Sequence, residues 1–426
     1  MAANSNQIVV EEVIFLGTGT SGQIPSVSCL SVPRPTCAAC VDSVKPNSRN
    51  RRRNTSLLVR ARVAPKSPRQ DVRTHSNGNG TSVNGDAVHT VDPNLSAAAA
   101  KSHVRNIVID VGKSFYEGAI RWFLDYGITD IHAVVLTHEH ADAVLRLDDL
   151  RDWTMYRDDQ PSLPVFLDPP TMAAVSRLFP YMVDETKATG SGLVPKIKFC
   201  VFDPTQPFNV LGVEFAPFVV PHGKNCTSLG FRFSNVTYLS DVSDLDEKAY
   251  EWIDGSDIFI VDTLKEVSHV SHFGLDEALA ASERIRPAPR QVYLTGMCHL
   301  MEHHSSNKKL AKLYASGSIG MPVECAYDGL RLDVRDKSPT SLVAAERITA
   351  SIRQQQLRPT VAAVKQAASK AQAEAASVAT AAQPADAGRP IWADAHGRVQ
   401  AALTAELQSR SAEVSTADLI AMSEKP

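Results

Sequence analysis

Leu136-Thr137-His138-Glu139-His140-Ala141-Asp142 is the stretch that decides how this chain is read. An apolar strand-like run, Ala133 to Leu136, leads into it, and a helical pattern carrying Asp148, Asp149 and Arg151 follows. Two imidazoles one residue apart, just past a strand end, can both turn toward one point. Neutral imidazole nitrogens are good ligands for zinc and similar ions. A solvated polar loop that happens to hold two histidines is the plain alternative.

Working upstream, Val104 to Asp110 and His132 to Leu136 read as strands, with an amphipathic helix from Ser114 to Tyr126 between them. Residues 64–103 are rich in Ser, Asn, Gly and Pro and almost lack large apolar side chains, so they are expected to be a disordered insertion. Before it, Ile8 to Leu16 and Thr55 to Val63 read as strands, the first ending in the flexible loop Gly17-Thr18-Gly19-Thr20-Ser21-Gly22.

Downstream, strands are expected at Val165–Leu167, Ile197–Phe202, Val213–Val220, Ser228–Phe233, Thr237–Leu239, Ile258–Val261 and Gln291–Thr295. Helices are expected at Asp276–Arg284 and Ser306–Tyr314. The pattern is that of one α/β domain over 8–336, followed by a low-complexity, partly helical tail over 337–426 with an alanine-rich tract at 361–385.

The bulk composition excludes several classes. A formal net charge of −3 on 426 residues gives no global reason to expect a polyanionic partner. No stretch approaches the roughly 20 apolar residues that span a bilayer. The start, MAANSNQ, has neither the basic end nor the apolar centre of a signal peptide. Seven cysteines are an odd number spread over a long chain, which argues against a secreted disulfide framework. A reducing, cytoplasmic setting is therefore expected. Cys29, Cys37 and Cys40 cluster in a way that suggests metal, with ordinary buried thiols as the alternative. Arg49 and Arg51-Arg52-Arg53 read as a solvated charged face, or as the source of one arginine for a substrate phosphate. Cys226, four residues after His222, reads as packing, with oxidation or contact with a metal as the lesser alternative.

The histidine cluster resembles the T-H-x-H-x-D-H signature of the metallo-β-lactamase superfamily, and further motifs fall in that family's order. Ile109-Asp110-Val111-Gly112 is similar to its strand-end D-x-G. Pro221-His222-Gly223 is similar to its third motif, and Tyr238-Leu239-Ser240-Asp241 to its Y-x-[ST]-D. Within the superfamily the chain resembles the branch of phosphoribosyl 1,2-cyclic phosphate phosphodiesterase. The supporting residues are the Gly17 to Gly22 loop with Pro25, the three clustered cysteines, and His269-Val270-Ser271-His272-Phe273.

The resemblance implies an αββα sandwich with a catalytic divalent ion, zinc by default and Mn2+ or Fe2+ as substitutes, held by His138, His140, His222 and Asp241. It implies a second, structural zinc held by Cys29, Cys37, Cys40 and His299, and catalytic roles for His272 and Asp142. Two positions depart from the pattern. Ala143 and Gly296 stand where two-metal relatives carry ligands of a second catalytic metal, so one catalytic ion is expected here.

The implied activity is a metal-dependent phosphodiesterase acting on a small cyclic or nucleotide-like phosphodiester. The ion would ionise water to hydroxide, Asp142 would hold that water, and His272 would bind the phosphate or protonate the leaving oxygen. A metal-binding pseudo-hydrolase with a scaffold role and a thioester or lactam hydrolase are the competing readings. Neither membrane nor nucleic acid is an expected partner, and homodimerisation is left open.

Overall fold

The computed structural model describes residues 8–63, 104–155, 162–187, 190 and 194–335. The insertion read at 64–103 and the tail read at 337–426 lie outside the described residues.

Two seven-stranded sheets form the centre of the molecule. The first contains β1 (Ile8–Gly17), β2 (Ser56–Val63), β3 (Val104–Ile109), β4 (Ala133–Val135), β5 (Leu163–Leu167) and β6 (Ile197–Val201). The second contains β7 (Phe208–Val210), β8 (Val213–Pro221), β9 (Thr227–Phe233), β10 (Val236–Leu239), β11 (Ile258–Asp262), β12 (Gln291–Thr295) and β13 (Val323–Cys325). The last strand, β14 (Arg331–Asp333), returns to the first sheet and pairs antiparallel with β1, giving the order β14-β1-β2-β3-β4-β5-β6. The second sheet runs β13-β12-β11-β10-β9-β8-β7.

The helices are α1 (Val27–Leu30), α2 (Ala38–Ser43), α3 (Phe115–Tyr126), α4 (Ala141–Val144), α5 (Pro169–Leu178), α6 (Pro180–Val183), α7 (Glu247–Ile253), α8 (Leu275–Arg284) and α9 (His303–Ala315).

Strand periodicity sorts the side chains into layers. On β1, Val13 and Phe15 enter the cluster between the sheets, where they meet Phe215, Phe231, Tyr238, Ile260 and Tyr293 of the second sheet. The intervening Ile14 and Leu16 face the other way, with Leu58, Val108 and Val134, and pack on Phe115, Ala119 and Phe123 of α3. Those three lie four residues apart, which places them on one helical stripe. The helix stops where Gly127 takes φ +61° at its C-terminus, a left-handed conformation that glycine adopts without Cβ strain. The outer face of the second sheet, including Phe259, Val261, Val292 and Leu294, is covered by Ala249 and Ile253 of α7, Ala278 and Ala281 of α8, and Leu310 of α9. The layering is αββα, the architecture of the metallo-β-lactamase fold.

In each sheet one half is parallel: β3 to β6 in the first and β10 to β13 in the second. Inside the sheets these strands are buried on both faces, so they read as unbroken apolar runs such as Ile258-Phe259-Ile260-Val261, whereas the edge strand β6 is only half-buried. Their carboxyl ends gather at one edge of the sandwich, which is where open α/β sheets bind ligands.

The strands read from sequence are found with ends shifted by no more than two residues, but three short ones, β7, β13 and β14, were not anticipated. The helical pattern after the histidine cluster is a four-residue α4 followed by a 3-10 turn over Leu147–Trp153, which carries Asp148, Asp149 and Arg151.

Candidate metal centre

The loop after β4 is held open toward the sheet edge by Asp110. This residue is buried and sits at φ +63°, a left-handed conformation that aspartate tolerates better than most residues. Its Oδ1 accepts the Thr137 amide at 2.8 Å and its Oδ2 accepts the Thr137 hydroxyl at 2.8 Å. Two residues on, Gly112 lets the histidine loop lie directly against it, because a Cβ there would fall 1.6 Å from the Asp142 carbonyl oxygen.

The Thr137 hydroxyl has a single proton, and it goes to Asp110. It must therefore accept from His138 Nδ1, 2.8 Å away. This fixes the tautomer: Nδ1 carries the proton and Nε2 is left as a lone pair, buried and without a hydrogen-bond partner. His222 is fixed the same way, because its Nδ1 donates to the Ser271 carbonyl at 2.8 Å.

The Nε2 of His222 lies 3.2 Å from His140 Nδ1, and the nitrogens of His138, His140 and His222 all lie within 4.8 Å of one another. The rings meet edge to face at centroid distances of 4.7, 5.0 and 5.3 Å. A buried, unpartnered lone pair converging with two further imidazole nitrogens fits a divalent cation. Burial also favours the neutral, ligating form: it pushes His138 down to about 4 and His222 below its usual range.

Asp241, just past β10, joins His222 and His272 rather than His138 and His140, so among the described residues the four expected ligands fall into two donor groups that share His222. Its Oδ1 is 4.0 Å from His222 Nε2 and 3.8 Å from His272 Nδ1. Burial opposes its ionisation, but the imidazoles of His138, His222 and His272 together hold its carboxyl below the ordinary range.

His272 enters the site from the segment just before α8. Its side chain is 15% exposed and its Nδ1 is 2.7 Å from Asp262 Oδ2. It also comes within 4.8 Å of Asp241 and His222 as a second donor group, so it adjoins the metal donors more closely than the sequence suggested. Asp142, by contrast, falls outside both donor groups among the described residues. It is buried in the first turn of α4, and its charge acts on His138, His272 and Asp110.

Asp262 is the residue that the sequence reading missed. It ends β11 fully buried; Oδ2 takes His272 and the Val242 amide, while Oδ1 has no partner. Burial pushes its carboxyl up to about 7. Burial alone would lower His272, but Asp262 outweighs it and raises the imidazole to about 9. The available signal was a carboxylate directly ending an apolar, fully buried strand. Gly296 explains the space: at φ +70° its Cβ would stand 2.3 Å from Asp262 Oδ1. Ala143 is buried and has no donor.

A second cluster shares no residue with the first. Cys29 from α1, Cys37 at the start of α2, Cys40 within α2 and His299 after β12 come together, with all donor atoms within 4.8 Å of one another. His299 Nδ1 is 3.2 Å from Cys29 Sγ and 3.4 Å from Cys37 Sγ. Zinc–sulfur bonds of about 2.3 Å and zinc–nitrogen bonds of about 2.0 Å in a tetrahedron put such donors roughly 3.5 Å apart, so the four fit a closed zinc site. The Ser26 amide donates to Cys40 Sγ at 3.3 Å. Cys298, next to His299, is not part of this group.

The arginine run is corrected. Arg52 is 1% exposed, with its Nη1 donating to the Cys298 carbonyl at 3.2 Å, and Arg53 pairs with Asp328 at 3.2 Å. The cause is a bridge between Arg52 and Ile24, along which successive side chains alternate inward and outward. Arg49 lies exposed over the Tyr327 ring, 4.1 Å from its centroid, and Arg51 is exposed. Cys226 packs beside the site, with its Sγ 3.5 Å from His140 Nε2.

Residues 105–297 match the family described as a β-lactamase superfamily domain. Among solved structures, a diphosphatase of the PhnP family is 22% identical with a TM-score of 0.54, covering 76% of this chain and 98% of that one. Zn(2+)-bound PqqB from Methylobacterium extorquens is 16% identical with a TM-score of 0.51, covering 76% of this chain and all of the other (100%). Both likenesses are in fold. A curated relative, the octanoyltransferase of Porphyromonas gingivalis, is 24% identical over 325 residues, which cover 76% of this chain. The chain spans about half of that relative's length (52%).

Proposed function

Starting from a chain of the metallo-β-lactamase superfamily, we propose that this protein is a metal-dependent phosphodiesterase for a small cyclic or nucleotide-like phosphodiester. The observation that carries the reading is the convergence of His138 Nε2, His140 Nδ1 and His222 Nε2, with Asp241 beside them and a separately anchored His272 on the rim. The fold shared with a PhnP-family diphosphatase supports phosphoester chemistry in particular.

His138, His140, His222 and Asp241 would hold the catalytic ion, and Cys29, Cys37, Cys40 and His299 a structural zinc. Once bound, the catalytic ion would supply Lewis acidity and lower the pKa of water from 15.7 toward about 7. The protein's own groups divide the remaining work. Asp110, through Thr137, keeps His138 in the ligating tautomer. Asp262 holds His272 by Nδ1, so the ring presents Nε2 outward to bind a substrate phosphate or to deliver a proton to the leaving oxygen. Asp142, buried in the first turn of α4, would hold the attacking water.

Turnover of bis-p-nitrophenyl phosphate tests this. The wild type should hydrolyse it and His140→Ala should not. His272→Gln and Asp262→Asn should retain the ion by metal analysis while kcat falls by about 10²- to 10⁴-fold for His272→Gln and less for Asp262→Asn. Equal background rates for the wild type and His140→Ala would point instead to a metal-binding scaffold. A thioester is the second reading, favoured by the acyl-transfer name of the curated relative. A thioester turned over while every phosphodiester is refused would replace the first reading.

A further inference from the structure

His272 does not stand alone at the rim. Its ring centroid lies 4.8 Å from that of His222 on one side and 5.6 Å from that of His269 on the other, so the imidazoles form a row. His269 belongs to neither histidine donor group and has no task in the division of work given above.

We propose that His269 is a substrate-binding residue: its Nε2–H donates to a non-bridging oxygen of the same phosphate that His272 meets. The proposal rests on the phosphodiesterase reading and adds a second protein contact for that substrate.

The direction of the hydrogen bond follows from a partner that has no choice. The Ser271 amide donates to His269 Nδ1 at 3.3 Å in a part-buried contact, and a backbone amide can only donate. Nδ1 is therefore the lone pair, and the single proton of the neutral ring sits on Nε2. Burial first, and then the neighbouring His272 and Lys265, hold His269 below its usual range, which keeps the ring neutral at pH 7. Among the described residues Nε2 has no partner, and it is not sealed from solvent; the same holds for His272 Nε2. Water occupies such positions until an anion displaces it. Charge-assisted hydrogen bonds run about 2.7–2.9 Å, so two rings with centres 5.6 Å apart can both reach one phosphate group.

The segment that carries both rings is braced. A bridge between Lys265 and Gly274 closes its base. Ser268 Oγ donates to Glu277 Oε1 at 2.7 Å, and the Gly274 amide donates to Glu277 Oε2 at 2.6 Å. The Ser271 carbonyl accepts His222 Nδ1 at 2.8 Å. Donors fixed before the charge arrives cost no reorganisation when it does. Ala143 and Gly296 offer no donor for a further ion, so a hold on the remaining phosphate oxygens falls to side chains.

A merely structural role for His269 would lie in its bond from the Ser271 amide, and two substitutions separate the roles. Asparagine sets an amide oxygen near the place of Nδ1 and nothing at Nε2. Glutamine carries an amide NH2 to the place of Nε2 and leaves the Ser271 amide unmet. Full-length wild type, His269→Asn and His269→Gln are compared by inhibition with inorganic phosphate and by KM and kcat for bis-p-nitrophenyl phosphate. Metal content and melting temperature serve as controls. In His269→Asn the inhibition constant and KM should rise about 10- to 100-fold, the worth of a hydrogen bond to a charged group, while kcat stays within about threefold. His269→Gln should stay within about threefold of wild type in all three. The reverse order would show that the ring only ties the loop and would overturn the proposal. Equal loss in both variants, or no change in either, would overturn it as well. Wild type that neither binds inorganic phosphate nor cleaves the diester would overturn the phosphodiesterase reading, and this proposal with it.

Discussion

At the scale of single residues, the histidines of the centre were legible because their meaning is local: His138, His140 and Asp142 fall within five positions after one strand. Asp262 was not, because it acquires its place only by touching a ring brought from elsewhere, His272 ten residues on. The arginine run misled for a related reason, since the inward turn of Arg52 depends on a bridge to Ile24 that no local pattern announces. Gly112 offers a sharp test of how tightly the centre is seated. A methyl there cannot coexist with the Asp142 carbonyl oxygen at 1.6 Å, and because that atom is backbone, the whole histidine loop must move. Gly112→Ala should destabilise the protein by about 2 kcal/mol, within the range for overpacked sites, and weaken retention of the catalytic ion. Urea denaturation and chelator competition check both, and an unperturbed ion affinity would show that the loop is not held by this contact.

At the scale of elements, the antiparallel strands and the amphipathic α3 declared themselves by alternation and by a four-residue stripe. The three missed strands are three residues each, too short to show a period. The start of α9 carries a measurable electrostatic signature. Glu302, its N-terminal cap, accepts the amides of His304 at 3.1 Å and Ser305 at 2.7 Å, and also Asn50 Nδ2 at 2.7 Å. Burial works against ionisation here, yet these donors outweigh it and lower the carboxyl from 4.5 to about 2. A depressed carboxyl stabilises the fold above its unfolded pKa, and that contribution is lost as pH falls from about 4.5 through 2. Glu302→Gln should therefore cost about 1 kcal/mol at neutral pH, the usual worth of a cap. The gap between wild type and variant should close over that acidic window. Melting curves from pH 7 to pH 2 check this, and a gap that persists at pH 2 would mean the charge is not what caps the helix.

At the scale of the whole molecule, the two sheets bring the candidate donors of the histidine centre together from the ends of β4, β8 and β10, while a separate cysteine–histidine cluster ties α1 and α2 to the segment after β12. The number of bound ions follows from what stands at two positions. Ala143 has no donor, and the direction in which a side chain at 296 would grow is already filled by Asp262. Inductively coupled plasma mass spectrometry of purified protein should find two ions per chain, one at the histidines and one at the cysteines, and Gly296→His should not add another. A tightly held third ion would sink the single-metal reading. The cluster has one more consequence. Cys29 and His299 are 270 residues apart, so during synthesis three thiols emerge from the ribosome long before their imidazole partner exists. The four donors can meet only after residue 299 has been added. If the cluster holds an ion, its capture as a complete set must therefore come late in synthesis.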